Sequence, residues 1–395
     1  MSSIKQQFTV SFRYDVHFTS SVFDPSNPLF SDVIGSGSTA RSPENLNKVL
    51  IVLDKGFLKS HLGIFEKIKL YNKQYNKSFE LISNPVIIPG GEEAKIKPEY
   101  AEQILNAINT SGIDRHSFLV VIGGGCVIDT AGYAAAIAHR GVRLIRLPTT
   151  VLAQNDAAIG VKNGINAYEK KNFIGTFAPP FAVINDSEFL KTLDARDWRS
   201  GISEAVKVAL LKDPLFFDFI EKNAVALSNR DMESMKYLIY RCAELHLEHI
   251  TTSGDPFETG SSRPLDFGHW AAHKLEQLTG FELRHGEAVA IGLALDVTYS
   301  YLKGDLSKTE WKRITQVLQQ CGFTLFVPEL RSRLDDPANK HSLLRGLEEF
   351  REHLGGQLTI MLLKGIGQGY EVNTADTNLY IKAIRLLEKM EKELV

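Results

Sequence analysis

The chain is poor in cysteine, has no long apolar run and carries no excess of either charge. Its three cysteines, Cys126, Cys242 and Cys321, stand far apart among 395 residues, which excludes a disulfide framework and a cysteine-rich metal site. The 45 Lys and Arg residues nearly balance 47 Asp and Glu residues, so no nucleic-acid partner is expected. No apolar run reaches membrane-spanning length, and the first residues lack a signal-peptide core. We therefore expect a cytoplasmic protein with no membrane partner.

Short β-branched runs alternate with helical patterns through the first half of the chain. Strands are predicted at "KVLIVLD", which ends in Asp54, at "NPVII", at 118–122, at "VRLIRLP" and at "FAVIND". Helices are predicted over 56–77 and 98–111, and residues 19–45, rich in Ser, Pro, Gly and Asn, are predicted to form a long loop. This alternation predicts an α/β doubly wound parallel sheet.

Helical patterns dominate the second half, interrupted only by "LTIMLL". We therefore divide the chain near residue 192 into an α/β domain, 1–192, and a mainly α-helical domain, 193–395. The helices are predicted at 203–211, 231–249, 267–278, 287–302, 308–320 and 375–394.

Three histidines stand close together in "LDFGHWAAHKLEQLTGFELRHGEA". His269 and His273 share one face of a helix, and His285 follows a turn at Gly280 that allows it to fold back. Two interpretations stay open, because histidines at this spacing either bind a divalent ion or pack and cap a helix. Glu204 and Lys207, three residues apart in "GISEAVKVALLKD", either point into one site or form an ordinary ion pair.

The triple glycine 123–125 lies between a predicted strand and a helix of small residues. Such a junction brings backbone amides and a helix N-terminus to a pyrophosphate, or it is simply a tight turn. Asp54 at a strand end either holds a ribose or caps the next helix. Thr149 and Thr150 end another strand, where open α/β sheets bind ligands.

A polar segment over 155–175 carries Lys162, Lys171 and Asn172 among glycines, and Arg140 precedes it. Lysines and an amide beside glycine-rich turns suit an anionic ligand such as a sugar phosphate. The alternative is a solvated surface loop.

Together, several motifs resemble the 3-dehydroquinate synthase-like sugar phosphate cyclases. They are "GGGCVIDTAG", "LPTTVLAQNDAAIGVKNGIN", "KKNFIG", "GISEAVKVALLKD", "DFGHWAAHKLE" and "HGEAVAIG", in the family's order over about residues 50–300. The resemblance implies NAD bound to the first domain, zinc or cobalt and the substrate bound to the second, and a homodimer. It also implies a carbon–oxygen lyase that eliminates phosphate and closes a carbocycle while NAD is recycled.

The resemblance assigns roles residue by residue. Metal ligands are implied at Glu204, His269 and His285, which places His273 outside the metal shell. Catalytic positions are implied at Asp156, Lys162, Lys207, Asp266 and His273. Contacts to the substrate phosphate are implied at Arg140, Lys171 and Asn172. NAD-binding positions are implied at Asp54, Glu92, Lys95, Gly124, Gly125, Asp129, Thr149 and Thr150.

The substrate follows from departures from the family pattern. The lysine, arginine and asparagine that hold the substrate carboxylate in dehydroquinate synthases align with Glu248, Ser262 and Asp266. Two acids and a serine would repel a carboxylate, so we predict a ketose phosphate without one, similar to sedoheptulose 7-phosphate. Arg263 lies one place out of register, and if it compensates, 3-dehydroquinate synthase is the alternative.

Further alternatives stay open for the subgroup within the family and for the class of reaction. Asp266 and "EFREHLGGQLTI" resemble the 2-epi-5-epi-valiolone synthases, His273 resembles the dehydroquinate type, and "RPLDFGHWAAHKLE" resembles the cyclase-like protein of bacterial ebo operons. An NAD- and metal-dependent polyol dehydrogenase is the alternative from another class, and the lysine cluster argues against it. A non-catalytic binding module is the third.

Overall fold

The computed structural model of the protein describes residues 3–37, 46–168, 170–253, 255–257 and 264–393. The chain divides into two compact units. The first consists of Met1–Thr149 and Gly160–Glu188, and the second of Thr150–Ile159 and Phe189–Val395. The segment Thr150–Ile159 therefore groups with residues that follow it much later in the sequence.

The first unit contains nine strands among its described residues. They are β1 (Asp15–Thr19), β2 (Asn47–Asp54), β3 (Phe79–Leu81), β4 (Val86–Ile88), β5 (Phe118–Gly123), β6 (Arg143–Pro148), β7 (Lys162–Ala167), β8 (Lys170–Phe177) and β9 (Ala182–Asp186). Seven form a parallel sheet in the order β1-β9-β6-β5-β2-β3, with β4 also paired to β2. The other two, β7 and β8, form an antiparallel hairpin.

The sheet is central because its middle strands are apolar on both faces. All six residues of β5 are buried, as are seven of the eight in β2. A strand buried on both sides needs helices on both faces, which is why continuous apolar runs predict this architecture. Six helices accompany the described strands: α1 (Leu29–Ser36), α2 (Lys55–Ser60), α3 (Ile64–Gln74), α4 (Glu93–Ile96), α5 (Pro98–Thr110) and α6 (Gly125–Ile137). The predicted fold class is confirmed.

The second unit is mainly helical, as predicted. Its described helices are α7 (Ala195–Lys212), α8 (Pro214–Ser228), α9 (Met232–Thr252), α10 (His269–Leu278), α11 (His285–Lys303), α12 (Lys308–Gln320), α13 (Arg345–His353) and α14 (Thr377–Lys392). A two-stranded hairpin, β10 (Ile360–Gly365) and β11 (Gln368–Val372), accounts for the apolar "LTIMLL" run. Among all described residues, no helix is both long and apolar enough to cross a bilayer.

The predicted loop over 19–45 is wrong in part, because α1 lies within it. Phe30, Val33 and Ile34 are buried at the i, i+3, i+4 spacing of a helix, a short period that the surrounding Ser, Pro and Gly residues obscured. Residues 38–45 lie outside the described residues.

Other local predictions also need correction. The single helix predicted over 56–77 is two helices, because the chain turns at Gly63 with a φ of 82°, a conformation that favours glycine. For the polar segment 155–175, the alternative of a surface loop is wrong, because most of its described residues belong to a π-helical turn, Ala153–Ala157, and to the β7–β8 hairpin. Helices α8 and α13 were not predicted.

Candidate active site

Two glycines of α11 allow three helices of the second unit to approach closely. A Cβ on Gly286 would lie 1.9 Å from the carbonyl oxygen of Ser200 on α7. A Cβ on Gly292 would lie 2.0 Å from the carbonyl oxygen of Gly268, the residue before α10. Both are backbone contacts that no larger residue could make without displacement. As a result, α7, α10 and α11 bring their polar side chains together.

A carboxylate and two imidazoles converge where these helices meet. The Oε1 atom of Glu204 lies 3.6 Å from the Nε2 atoms of both His269 and His285, and the three potential ligand atoms lie within 4.8 Å of one another. The far nitrogens are also held, because Nδ1 of His269 is 3.1 Å from the Phe267 carbonyl oxygen and Nδ1 of His285 is 3.3 Å from Glu276 Oε2. Such partners fix the imidazole orientation at metal sites.

The protonation states of Glu204 and His269 favour a bound cation, whereas that of His285 opposes it. Although burial disfavours the charged carboxylate, Lys207 and then the two histidines hold the pKa of Glu204 well below its ordinary range. Burial, together with the Lys207 charge, lowers the pKa of His269 to about 4, so this ring is neutral at pH 7. Burial also opposes a charge on His285, but the Glu276 and Glu204 carboxylates raise its pKa to about 9. A metal must displace that proton in order to bind.

The cluster fits a divalent metal by its chemistry and by its unsatisfied atoms. The Glu204 side chain is 1% exposed, and its two oxygens accept no hydrogen bond of good geometry within the described chain, although Lys207 pairs with it. Two imidazole nitrogens and one carboxylate form a ligand set typical of catalytic zinc, and cobalt accepts the same donors. These three residues are the ones that the sequence resemblance named.

An ion-pair network adjoins the cluster. Lys207 follows Glu204 by one helical turn and contacts its carboxylate. Asp156, on the π-helical turn, has its Oδ1 atom 3.0 Å from Nδ1 of His246 on α9. Burial opposes both charges, but Glu204 and Asp156 raise the pKa of Lys207, and the close contact with His246 lowers that of Asp156. Lys207 is therefore protonated and Asp156 ionised at neutral pH.

His273 and Asp266 lie around this cluster rather than in it. The ring centroid of His273 is 5.5 Å from that of His269 and 6.1 Å from that of His285. Asp266 is half-buried, and its charge adds to the rise in the pKa of Lys207.

No motif in the sequence marks His246. Glu248, the α9 residue that aligns with the family's lysine, is exposed, whereas Nδ1 of His246 lies 3.0 Å from Oδ1 of Asp156. The signal was present in the sequence, because His246 stands four residues after the buried Cys242 and so shares the inner helix face. Ser262 and Arg263 lie outside the described residues.

In the first unit, the carboxyl ends of β2, β4 and β5 meet around Asp54. Its Oδ1 accepts from the amides of Gly56 and Phe57 at 2.7 and 3.3 Å, so Asp54 caps α2. A Cβ on Gly90 would lie 2.6 Å from this oxygen, and the Gly124 amide donates to Oδ2 at 3.4 Å. Asp54 therefore caps α2, which was one of its two expected roles. Binding of a ribose would be a second role of the same carboxylate.

The N-terminus of α6 is suited to a pyrophosphate. Gly124 precedes the helix and Gly125 begins it, and within the described chain no side chain caps its first amides. Free first-turn amides and the helix dipole attract anionic oxygens. The site therefore fits the phosphates of a dinucleotide.

Two predicted groups of residues form one polar network in this unit. The buried Lys95 ammonium lies 2.7 Å from Asp129 Oδ2 and also binds the side-chain oxygen of Asn172. Glu92 lies 3.8 Å from Lys171 Nζ and accepts from Asn166 Nδ2 at 2.5 Å. The predicted NAD and phosphate positions thus touch each other, and Asn166, which was not predicted, links them.

The other predicted residues lie near the ends of strands. Arg140 is exposed, with a φ of 62°, in the short turn after α6, and Lys162 is exposed at the start of β7. Thr149 is buried after β6, where its amide donates to the Gly123 carbonyl oxygen at 3.0 Å. The Thr150 hydroxyl accepts from the Ala153 amide at 3.2 Å in the second unit.

Comparison with known proteins identifies the family. The 3-dehydroquinate synthase N-terminal domain matches residues 85–200, and the 3-dehydroquinate synthase C-terminal domain matches residues 201–339. A 3-dehydroquinate synthase of Dictyoglomus thermophilum is 34% identical over 313 residues, which is 79% of this chain and 85% of that protein.

Solved structures of related enzymes have the same fold. ValA, a 2-epi-5-epi-valiolone synthase from Streptomyces hygroscopicus subsp. jinggangensis 5008 with NAD+ and Zn2+ bound, superposes with a TM-score of 0.85. It is 27% identical, and the alignment covers 98% of this chain and 100% of ValA. A 2-deoxy-scyllo-inosose synthase complexed with carbaglucose-6-phosphate, NAD+ and Co2+ shares the fold at 21% identity and a TM-score of 0.74, over 94% of this chain and 96% of that one.

These matches define an enzyme of the sugar phosphate cyclase superfamily. Within it, the chain belongs to the 3-dehydroquinate synthase family, which confirms the resemblance stated from its motifs.

Proposed function

We propose that this chain is a sugar phosphate cyclase that converts a ketose phosphate without a carboxylate, similar to sedoheptulose 7-phosphate, into a carbocycle with loss of phosphate. It would use recycled NAD and a divalent zinc or cobalt ion, and it would act as a carbon–oxygen lyase. The observation that carries this proposal is the convergence of Glu204, His269 and His285 beside a buried lysine. That arrangement supplies a metal site and a fixed positive charge together.

The proposed cofactors match what the site offers. NAD would bind at the carboxyl edge of β2, β4 and β5, with its pyrophosphate at the start of α6 and a ribose at Asp54. The metal would be held by Glu204, His269 and His285. The metal would supply Lewis-acid polarisation of a substrate hydroxyl, and NAD would supply reversible hydride transfer.

The chain's own residues would position the substrate and stabilise charge. The Lys207 ammonium, kept protonated by two carboxylates, donates hydrogen bonds and stabilises a developing oxyanion. The Asp156 carboxylate, oriented by His246, accepts a hydrogen bond from a substrate hydroxyl. His273 would contact the substrate from beside the metal ligands. By the family resemblance, contacts with the phosphate stay assigned to Arg140, Lys171 and Asn172, and Lys162 stays assigned to the catalytic positions.

The charges of the second unit support a substrate without a carboxylate. Glu204, Asp156 and Asp266 all act electrostatically on Lys207. Even with the Glu204 charge compensated by a metal ion, a further carboxylate brought to this lysine would meet the negative charges of Asp156 and Asp266. A neutral polyol head would instead find acceptors for its hydroxyl groups. This charge pattern favours sedoheptulose 7-phosphate over the heptulosonate phosphate used by 3-dehydroquinate synthase.

The test is phosphate release by the NAD- and zinc-loaded protein with each of these two substrates, with NADH absorbance followed in the same sample. We expect phosphate from sedoheptulose 7-phosphate without net NADH. Release from the heptulosonate phosphate alone would contradict the charge argument and indicate a 3-dehydroquinate synthase. NADH accumulation without phosphate would overturn the cyclase and indicate a polyol dehydrogenase. Failure to bind either cofactor would indicate a binding module.

Three sequence predictions accompany this proposal. Membership of the ebo-operon branch and a cytoplasmic location rest on the motifs and the composition. The homodimer also rests on the family resemblance, and light scattering of the purified protein tests it directly.

A further inference from the structure

A buried carboxylate that no motif singled out lies beneath the start of α10. Asp296, on α11, is fully buried and accepts three hydrogen bonds. Its Oδ1 atom accepts from Trp270 Nε1 at 3.0 Å and from the Tyr380 hydroxyl at 2.8 Å, and its Oδ2 accepts from the Gly268 amide at 3.2 Å. The three donors come from two separate helices and the residue that precedes one of them.

Burying the Asp296 carboxylate in the helical core costs free energy. All three donors are neutral groups, and burial raises the pKa of Asp296 to about 7 despite their hydrogen bonds. An apolar side chain would avoid the desolvation of a carboxyl group in a helical core. A buried acid with donors at both of its oxygens is therefore better explained by the geometry that it imposes than by the stability that it adds.

Two of the three donors flank the metal ligand His269 in sequence. Gly268, with a φ of 76°, is the residue before α10, and Trp270 is the second residue of the helix. We infer that Asp296 is a positioning residue that fixes the first turn of α10 and thereby aims Nε2 of His269 at the metal. This inference rests on the proposed metal site.

The same helix also carries the other imidazole. His285 begins α11, and Asp296 follows it by eleven residues, which is close to three full helical turns, so both side chains lie on one face. The close contact of Gly292 with Gly268 presses α10 onto this face. A single rigid helix thus supplies one histidine directly and orients the second through a buried acid.

The experiment measures metal affinity of the full chain rather than activity. The apo protein is titrated with Zn2+ against a chromophoric chelator, and Co2+ absorption reports the ligand geometry. The variants are Asp296→Asn, which keeps an acceptor for Trp270 but opposes an amide to Gly268, and Trp270→Phe, which removes one donor. The matched control is Trp311→Phe, because Trp311 Nε1 makes an equally buried 3.0 Å bond, to Thr298 Oγ1.

We expect both test variants to weaken zinc binding about tenfold or more, the range seen for partners of metal ligands, and to alter the cobalt spectrum. The Trp311→Phe protein should lose thermal stability but keep wild-type zinc affinity. Wild-type affinity in Asp296→Asn and Trp270→Phe, or an equal loss in Trp311→Phe, would overturn the inference. A wild-type protein that binds neither Zn2+ nor Co2+ would overturn the proposed metal site itself.

Discussion

The close approach of α11 to α7 makes Gly286→Ala a sharp test of how the metal site is assembled. The new Cβ would lie 1.9 Å from the Ser200 carbonyl oxygen, about 1.5 Å short of an ordinary 3.4 Å contact. A backbone oxygen cannot rotate away as a side chain can, so the two helices must separate. His285, next to Gly286, would then move relative to Glu204.

Two opposing effects set the change in the free energy of unfolding of Gly286→Ala. Overpacking a core costs about 1–3 kcal/mol, with the upper end expected against backbone, while alanine gains about 0.5–1 kcal/mol over glycine within a helix. The net loss is about 2 kcal/mol, which lowers the Tm of a unit of this size by about 4–8 °C. Ligand positions in metal sites tolerate shifts of only about 0.2 Å, so zinc affinity should fall at least about tenfold, as it does when a residue that orients a metal ligand is replaced.

Differential scanning calorimetry and zinc titration measure the two effects. The matched control is Gly35→Ala in α1, because a Cβ at Gly35 would meet nothing within 4 Å and its backbone is helical. That control should melt at or slightly above the wild-type temperature and bind zinc normally. If Gly286→Ala melts within about 1 °C of wild type and retains its zinc affinity, the reasoning from backbone contact is refuted.

Three further predictions address separate parts of the molecule. His269→Ala should lower zinc affinity by about 100-fold; dialysis against zinc followed by metal analysis checks this, and a fully loaded variant would exclude His269 as a ligand. Asp54→Ser should keep the α2 cap but raise the NAD dissociation constant about tenfold, whereas Asp376→Ser, the same change at the cap of α14, should leave NAD binding unchanged. Because burial raises the pKa of Asp296 to about 7 from an ordinary 3.8, the folded metal-free protein holds this proton longer than the unfolded chain and loses stability as pH rises from about 4 to 7. Replacement by Asn should therefore shrink the fall in Tm between pH 5 and pH 8 by about 5 °C, and an unchanged fall would contradict the burial argument.

The sequence predicts the sheet well because each central strand is a continuous apolar run bounded by turn residues. Asp54 and the glycines of 123–125 follow from that pattern, since strand ends mark the ligand edge of a parallel sheet. The helical spacing and the glycine turn also allow the convergence of the histidines of α10 and α11 to be predicted. Helix α1 was missed because its apolar period is only eight residues long.

The contacts that could not be predicted join residues remote in sequence. The spacing from Cys242 places His246 on the inner face of α9, but no local period shows that Asp156, ninety residues earlier on the π-helical turn, is its partner. The hydrogen bonds of Asp296 could not be predicted for a similar reason, because one of its donors, Tyr380, lies 84 residues later in the sequence. Local patterns fix elements and their faces, whereas such pairs depend on how whole helices pack.

The membership of Thr150–Ile159 in the second unit affects how the protein can be made. This decapeptide leaves the ribosome before the β7–β8 hairpin and well before α7, yet it contributes Asp156 to the helical core. The segment therefore cannot pack until the rest of that core has been synthesised. The second unit folds through contacts between residues far apart in the sequence, and such contacts form slowly. A fragment cut at residue 192 would lack this segment, so neither expression of the helical half alone nor its transfer into another protein would preserve the contact of Asp156 with His246.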